Sequence, residues 1–160
     1  YLRYAYRAAP TESVWMTEDG LDRQGPMLDI RAEHKRYGVR LADWNNRSEN
    51  HLVPQLRLVA RLLADAAGGK RSLEPAVRFL DRHILRWSHA FARQLVRASA
   101  PPFYSALAVL TACILDEQRD RLATMTGISR TAPELFPSEQ KLRQPGPEDE
   151  RYIPGVAPSW

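Results

Sequence analysis

The sequence predicts an all-α fold: a single helical bundle over residues 1–128, followed by an extended, proline-rich tail over residues 129–160. Apolar residues recur at steps of three and four, which is the helical period, and no segment alternates as a strand does. A chain of 160 residues that is 44% hydrophobic has the size and composition of one globular domain. Six of the 12 prolines lie after residue 128, where neither helix nor sheet is expected.

Glycine and proline mark the first predicted helix. Pro26 fits its first turn, where a missing N–H costs nothing, and Gly38 fits the left-handed position that follows a helix end. Upstream of this helix, residues 10–20 carry the helix breaker Pro10 and a turn signal. They are expected to form an ordered connection anchored by Val14 and Trp15.

Two further helical stretches follow. The first begins near Leu52, where Ser48 or Asn50 can cap it, and two glycines end it at residues 68–69. The second begins at residues 74–75 and runs to residue 98. Its apolar period is continuous, so it is either one long helix or two shorter helices with a bend near Leu85.

A last helix is predicted from about residue 103 to Gly127. Cys113 is expected to be a small core residue within it, and residues 116–121 its exposed, charged end. Its apolar side is expected to comprise Phe103, Leu107, Leu110, Ile114 and Leu115. The aromatic stripe of Phe79, Trp87, Phe91, Phe103 and Tyr104 has the spacing of core residues.

The bulk properties favour a soluble, cytoplasmic protein. The net charge of +4 is mixed along the chain and does not resemble the concentrated basic stripe of a nucleic-acid binder. The single cysteine excludes an intrachain disulfide and fits a reducing compartment. No apolar run is long enough to cross a bilayer, and no signal peptide opens the chain.

Catalytic and metal-binding patterns are not found in the sequence. The histidines at positions 34, 51, 83 and 89 lack the spacing of metal ligands on one helix. Gly68-Gly69-Lys70 superficially suggests a phosphate loop, but the glycine spacing is wrong and no strand precedes it. The sequence therefore predicts no enzyme, no cofactor and no metal.

The loop over residues 44–51 has a composition suited to binding. It places Trp44, several hydrogen-bonding groups and the imidazole of His51 at the start of an apolar helix. Such a corner can bind a polar or extended partner segment. The alternative is a capping loop with a satisfied histidine, and residue types alone leave both open.

Several segments resemble the TorD/DmsD/NarJ family. Residues 79–87 read Phe-Leu-Asp-Arg-His-Ile-Leu-Arg-Trp, Phe91 follows, and residues 102–107 read Pro-Phe-Tyr-Ser-Ala-Leu. Family members carry a similar His-Leu-x-x-Trp segment, a nearby Phe and Pro-Phe-Tyr-x-x-Leu. Ser13-Val14-Trp15 matches a Ser-Val-Tyr element, and residues 46–51 fall where the family has Glu-Pro-x-Asp-His. The resemblance covers about residues 10–124.

The resemblance implies a non-enzymatic cytoplasmic chaperone. Such proteins bind the N-terminal, twin-arginine-type segment of a molybdenum oxidoreductase subunit and aid cofactor insertion before export. Two arginines need acceptors or carboxylates, and the apolar stretch of the segment needs a groove. By position, the residues implied to bind the partner peptide are Trp15, Trp44, Arg47, Ser48, Glu49, Asn50 and His51.

The signature departs from the family at most positions. Only His51 keeps its family identity, because Arg47 replaces the usual acid, Ser48 the proline and Asn50 the aspartate. Arg47 would oppose an incoming arginine. Glu49 could still pair with one, and Asn50 could accept a hydrogen bond without charge.

Chain length and charge leave two alternatives open. Family members have several helices before the Ser-Val-Tyr element, whereas only residues 1–9 precede it here. Those helices are either missing from the chain or supplied by another copy, as a homodimer formed by segment exchange. The alternative function is a basic helical nucleic-acid-binding or regulatory domain, suggested by a pI near 9.5 and arginines at positions 78, 82, 86, 93 and 97. The plain interpretation of these arginines is a solvated surface.

Overall fold

The predicted all-α class is confirmed. The computed structural model describes residues 8–18, 20–23, 25–39, 48–98 and 101–130. Its elements in chain order are α1 (Glu12–Met16), α2 (Gly25–Arg36), α3 (Leu52–Ala67), α4 (Glu74–Phe79), a π-helical turn (Leu80–Ile84), α5 (Leu85–Arg97) and α6 (Pro102–Thr126). These ranges contain no strand, only one isolated antiparallel bridge between Thr11 and His51. Most of the predicted tail, residues 131–160, lies outside the described residues.

Glycines end the helices where the sequence predicts. Gly38 follows α2 with φ +68° and Gly127 follows α6 with φ +71°, the left-handed conformation that glycine adopts without strain. The predicted cap of α3 was wrong. The cap is the residue directly before Leu52, and there the Nδ1 atom of His51 accepts a hydrogen bond from the backbone N–H of Val53 at 3.1 Å.

The stretch from Glu74 to Arg97 is helical throughout, with a π-helical turn in its middle. This turn inserts one extra residue, so it rotates the side chains on either side of it relative to one another. The choice between one helix and two is thereby resolved, because α4 and α5 follow each other through the π turn without a loop. Asp81 and His83, both inside the turn, reach partners that are distant in the sequence.

The core has two parts, and the rod formed by α4, the π turn and α5 contributes to both. The first joins α2, α3, α4 and α6 and includes Ile30, Leu58, Leu62, Val77, Leu80, Ile84 and Leu122. The second joins α1, α5 and α6 and includes Trp15, Trp87, Phe91, Ala108 and Ala112. The short α1 is therefore held on the bundle by its tryptophan, as the sequence predicts for an anchor.

The predicted buried side of the last helix was wrong. Helix α6 packs on α5 through the small residues Ala108 and Ala112, because small side chains allow close approach of the two backbones. The large residues point away, with Phe103 69% and Leu110 56% exposed. Leu115 is the one member of the predicted apolar side that is buried, and Leu107 and Ile114 are exposed as well. Tyr104, predicted as part of the aromatic core stripe, is also exposed.

Two polar assignments on α6 were also wrong. Cys113 is exposed and does not belong to the core. Arg119, inside the charged run predicted to be exposed, is fully buried. Its guanidinium donates to both carboxylate oxygens of Asp81 at 2.7 and 2.8 Å, so a complete ion pair compensates its burial. Of the helices in the described ranges, none is long and apolar enough to cross a membrane.

Candidate functional site

The start of α3 is fastened to the residues that precede α1. The backbone N–H of Glu12 donates to the carbonyl of Asn50 at 3.0 Å, and that of Leu52 donates to the carbonyl of Pro10 at 2.9 Å. Two short segments thus lie side by side around the bridge between Thr11 and His51. We call this place, formed by residues 10–13 and 48–52, the polar corner.

Asn50 builds the polar corner from inside. Its side chain is fully buried, and its Nδ2 atom donates to the Oγ of Ser13 and, at 3.1 Å, to the Oδ1 of Asp22. The hydroxyl of Ser48 donates to the Oδ1 of Asn50. Each hydrogen-bonding atom of the buried amide therefore has a partner within the chain, as burial requires.

A buried polar network continues from the polar corner into the bundle. Gln55 donates through Nε2 to the Oε2 of Glu12 and to the carbonyl of Asn50, both at 2.9 Å. The other carboxylate oxygen of Glu12 lies 3.0 Å from the Nδ1 of His83. All four residues of this network are interior, with Glu12 and His83 each 2% exposed.

The sequence interpretation missed this network. Glu12 belongs to no sequence pattern of its own, and the spacing of His83 speaks only against a metal site. The available signal is indirect: His83 lies within residues 79–87, which carry the resemblance, and Glu12 directly precedes the Ser-Val-Trp element.

Glu49 presents the negative charge of the polar corner. The residue is 8% exposed, and its Oε2 atom accepts a hydrogen bond from the Nε of Arg31 on α2 at 2.5 Å. The side chain of Arg31 is 44% exposed, so this ion pair lies at the surface on its α2 side. The corner therefore already contains a carboxylate paired with a guanidinium, which is the pairing that the resemblance implies for a partner arginine.

Apolar side chains flank this ion pair. Val53, in the first turn of α3, is 48% exposed, and Leu28 on α2 is 59% exposed. Leu28 precedes Arg31 by three residues and so shares its side of the helix. His51 and Ser48 are half-buried between these elements. Polar and apolar contacts are thus available side by side.

The structure brings together some of the predicted site residues. Ser48, Glu49, Asn50 and His51 adjoin one another in the polar corner, Asn50 as an interior residue. Trp15 lies in the core, where its Nε1 donates to the carbonyl of Ala9 at 2.8 Å and its ring packs edge-on to Phe91. Trp44 and Arg47 lie outside the described residues.

The match to known families follows this geometry. A family model described as the nitrate reductase delta subunit matches residues 5–93, which is more than half of the chain. The matched range contains the polar corner, the network and the π turn. The chain belongs to this family. The resemblance to the TorD/DmsD/NarJ family is therefore confirmed, as is the prediction that the chain is not an enzyme, since this is a family of maturation chaperones.

Curated relatives of the nitrate reductase delta subunit family support the same assignment. Chaperone protein TorD of Vibrio cholerae serotype O1, strain ATCC 39541, is 30% identical over 118 residues, which cover 70% of this chain and 53% of the relative. The TorD proteins of strains ATCC 39315 and M66-2 are 30% and 29% identical over the same length. The chain spans about half the length of the curated relatives it matches.

The arginines that suggested a nucleic-acid surface are partly engaged elsewhere. Arg78 pairs with Glu74 one turn earlier, and Arg82 approaches Asp29 on α2 at 3.7 Å. Both have exposed side chains, in keeping with a solvated surface. Within the described part of the chain, no group of three or more His, Cys, Asp or Glu residues could hold a metal ion.

Proposed function

We propose that this member of the nitrate reductase delta subunit family is a cytoplasmic chaperone that binds the N-terminal, twin-arginine-type segment of a molybdenum oxidoreductase subunit. It would aid cofactor insertion before export. The observation that carries this proposal is the pair between Glu49 and Arg31, a carboxylate at the polar corner that already holds a guanidinium. Family membership and the TorD relatives support the chaperone role.

The subunit that the chaperone binds is its client. In this proposal Arg31 is an internal stand-in for an arginine of the client segment, because it occupies the place at Glu49 that the client arginine would take. The pair must open before a client guanidinium can reach Glu49, so the client exchanges one charged hydrogen bond for another. After the exchange the carboxylate of Glu49 is paired again, which matters because an unpaired carboxylate would be costly for a residue as enclosed as Glu49. The affinity for the client then depends on how much more favourable its contacts with Glu49 and the surrounding residues are than those of Arg31.

The rest of the client segment would use the surroundings of this pair. Ser48 and His51 offer hydrogen bonds to its backbone, while Leu28 and Val53 offer contacts to its apolar stretch. Trp44 and Arg47 adjoin the corner in the chain and belong to the proposed surface by position. Trp15 and Asn50, both interior, contribute by holding the shape of the corner.

Chaperone action requires a difference in affinity between client states. The chaperone must bind the immature client more tightly than the mature one, because equal affinity would shift no equilibrium. Binding of an N-terminal segment meets this condition if that segment becomes inaccessible after cofactor insertion. Capture from the native host tests the step: a molybdoenzyme catalytic subunit should co-purify, and deleting its N-terminal segment should abolish capture.

The stand-in hypothesis is tested by titrating the client segment as a synthetic peptide. Glu49→Gln should weaken binding about tenfold, because a charge-assisted hydrogen bond contributes roughly 1.5–3 kcal/mol. Arg31→Ala should strengthen binding by removing the competitor. Arg36→Ala is the matched control, since Arg36 lies on the same helix and makes only a 3.5 Å pair with Glu33 at an exposed position.

An exchange of partners predicts that Glu49→Gln weakens peptide binding and that Arg31→Ala strengthens it. A general electrostatic effect would instead change the affinity equally for any arginine removed from this helix. If Arg31→Ala and Arg36→Ala change the affinity equally, Arg31 is not a stand-in. If Glu49→Gln leaves the affinity unchanged, the polar corner does not bind the arginine, and the proposed site is wrong.

A homodimer formed by segment exchange is the second part of the proposal. An exchanged segment needs an apolar surface to receive it, and the outward side of α6 offers one in Phe103, Leu107, Leu110 and Ile114. No charged residue lies between Arg97 and Asp116 to oppose such packing. Light scattering over a range of concentrations should give a dimer mass that Leu110→Ser abolishes; a monomer mass at all concentrations would contradict it.

A further inference from the structure

The outward side of α6 carries a regular row of large apolar side chains. The row consists of Phe103, Leu107, Leu110 and Ile114, which follow one another at steps of four, three and four residues. Each of them is between 47% and 69% exposed. The alanines of α6 that pack on α5 lie on the other side of the helix, so this row, which we call the α6 seam, faces away from the bundle. Such spacing is that of a helix that packs on a second helix in a coiled coil.

The α6 seam exposes enough apolar area for a specific contact. Tyr104, at its edge, is 51% exposed. A large side chain that is half exposed offers on the order of 100 Å² to a partner, so the seam and Tyr104 together offer roughly 500 Å² per copy. Two such surfaces packed together bury about 1,000 Å², which reaches the lower limit for a specific protein interface. A second copy of the chain therefore supplies a partner surface of sufficient size.

The α6 seam is complementary to itself when two copies run antiparallel. Its steps read four, three and four from either end, so a two-fold axis midway between Leu107 and Leu110 maps the seam onto itself. Phe103 of one copy then packs against Ile114 of the other, and Leu107 packs against Leu110. A contact between identical surfaces requires this kind of self-complementarity.

The charge at the end of the α6 seam favours the antiparallel arrangement. Glu117 continues the row by a further step of three, and its side chain is 61% exposed, although Arg121 pairs with it one turn later. A parallel pair would place Glu117 of one copy against Glu117 of the other, where like charges repel. An antiparallel pair separates these two carboxylates by about 25 Å along the helix axes. It also brings each carboxylate near the end of α5 in the other copy, where Arg97 is exposed, because Leu95 of α5 lies beside Ser105 of α6.

We propose that two copies of this chain associate through their α6 seams as an antiparallel pair, about a two-fold axis midway between Leu107 and Leu110. This inference rests on the homodimer of the proposed function, and it names α6 as the helix that the second copy supplies. The two-fold relation gives each copy the same contacts, so the assembly closes at two copies. The polar corner is formed by other elements and takes no part in this contact.

The single cysteine of the chain allows the arrangement to be measured. A nitroxide label on Cys113, which is exposed, reports only distances between copies, because each chain carries one label. Cys113 lies four and a half residues from the two-fold axis, so the labels of two copies are nine residues apart, about 14 Å along the helix axes. The double variant Cys113→Ser, Thr124→Cys moves the label to an exposed position where this separation is 31 residues, about 46 Å.

Pulsed electron–electron double resonance on the full chain should therefore give a short distance for the label at Cys113 and a long one for the label at Thr124→Cys. Equal short distances at both positions would show a parallel pair and would overturn the proposal. A dimer in which the two distances differ in the opposite sense would show that another surface forms the contact, which overturns it as well.

Exchanging charges across the seam tests the register independently. Leu107→Lys should weaken association at least about tenfold, because it buries a charge against the leucine of the other copy. In the double variant Leu107→Lys, Leu110→Glu each lysine faces a glutamate of the other copy, so part of the lost affinity should return. Thr124→Lys adds the same charge at an exposed position of α6 outside the seam, and as the matched control it should leave the dissociation constant unchanged. A double variant that associates more weakly than Leu107→Lys would overturn the register.

Light scattering separates failure of this inference from failure of the proposed dimer. A monomer mass at all concentrations would contradict both. A dimer mass without the expected label distances would contradict only the pairing of the α6 seams, because another segment of the second copy would then cover the outward side of α6. Titration of the client peptide is a third, separate measurement, since it reports on the polar corner alone.

Discussion

The buried carboxylate of Glu12 makes a sharp test of the fold, because two helices depend on it. It accepts hydrogen bonds from Gln55 on α3 and from His83 in the π turn, at 2.9 and 3.0 Å. We predict that Glu12→Ala lowers the free energy of unfolding by about 3–5 kcal/mol, because it removes a buried acceptor that two side chains share and leaves a cavity behind.

The magnitude follows from what the substitution leaves behind. His83 would lose its only hydrogen bond to a described residue, and an unsatisfied buried group costs roughly 1–3 kcal/mol. Gln55 would keep the carbonyl of Asn50 and lose one bond, about 1 kcal/mol more. The remaining loss is the cavity left by the truncated side chain, about 1 kcal/mol.

Urea unfolding measures this loss. With a slope of about 2 kcal/mol per molar urea, the midpoint of Glu12→Ala should fall by about 2 M. Glu12→Gln keeps the shape and one acceptor, so its loss should be about 1–3 kcal/mol and measurable even if the alanine variant does not fold. Glu74→Ala, which removes an exposed pair with Arg78, is the control and should change stability by less than about 0.5 kcal/mol. A loss below about 1 kcal/mol for Glu12→Ala would refute the structural role of the network.

Three further predictions concern other buried or exposed groups. Arg119→Lys keeps the charge and loses the two-pronged pair, so the melting temperature should fall by several degrees; an unchanged value would contradict the buried pair. Burial acts to raise the pKa of Asp65, but Arg61 and Arg71 hold it below its usual value of 3.8. Asp65→Asn should therefore lower the melting temperature at neutral pH, with a difference that closes as the pH falls below 3.8; a difference independent of pH would exclude this cause. At concentrations where the chain is monomeric, Leu107→Ser should reduce binding of an apolar dye without loss of stability, because Leu107 is 49% exposed; a large loss would show that it packs in the core.

The sequence predicted the elements well where local chemistry determines them. Gly38 and Gly127 end helices because each must adopt a positive φ, a requirement visible in one residue. The anchoring of α1 by Trp15 was likewise readable, since a large aromatic in a short polar segment is seldom left in solvent. These features need no knowledge of distant contacts.

The orientation of α6 could not be read from periodicity alone. Its large apolar residues and its alanines both recur at helical spacing, and the size of the residues favoured the wrong side. Packing chose the alanines because α5 approaches closely, and that approach depends on Trp87 and Phe91 filling the adjacent space. The burial of Arg119 likewise depends on Asp81, which is 38 residues away in the sequence.

The polar corner was predicted as a place but not as a mechanism, for the same reason. The spacing of Ser48 to His51 located it, whereas its support comes from Glu12, which lies 71 residues from His83 and 43 from Gln55. His83 reaches this network from inside the π turn, where its Nδ1 atom lies 3.0 Å from a carboxylate oxygen of Glu12. Any change that displaces His83 therefore acts on Glu12, and through Glu12 on the backbone of Asn50.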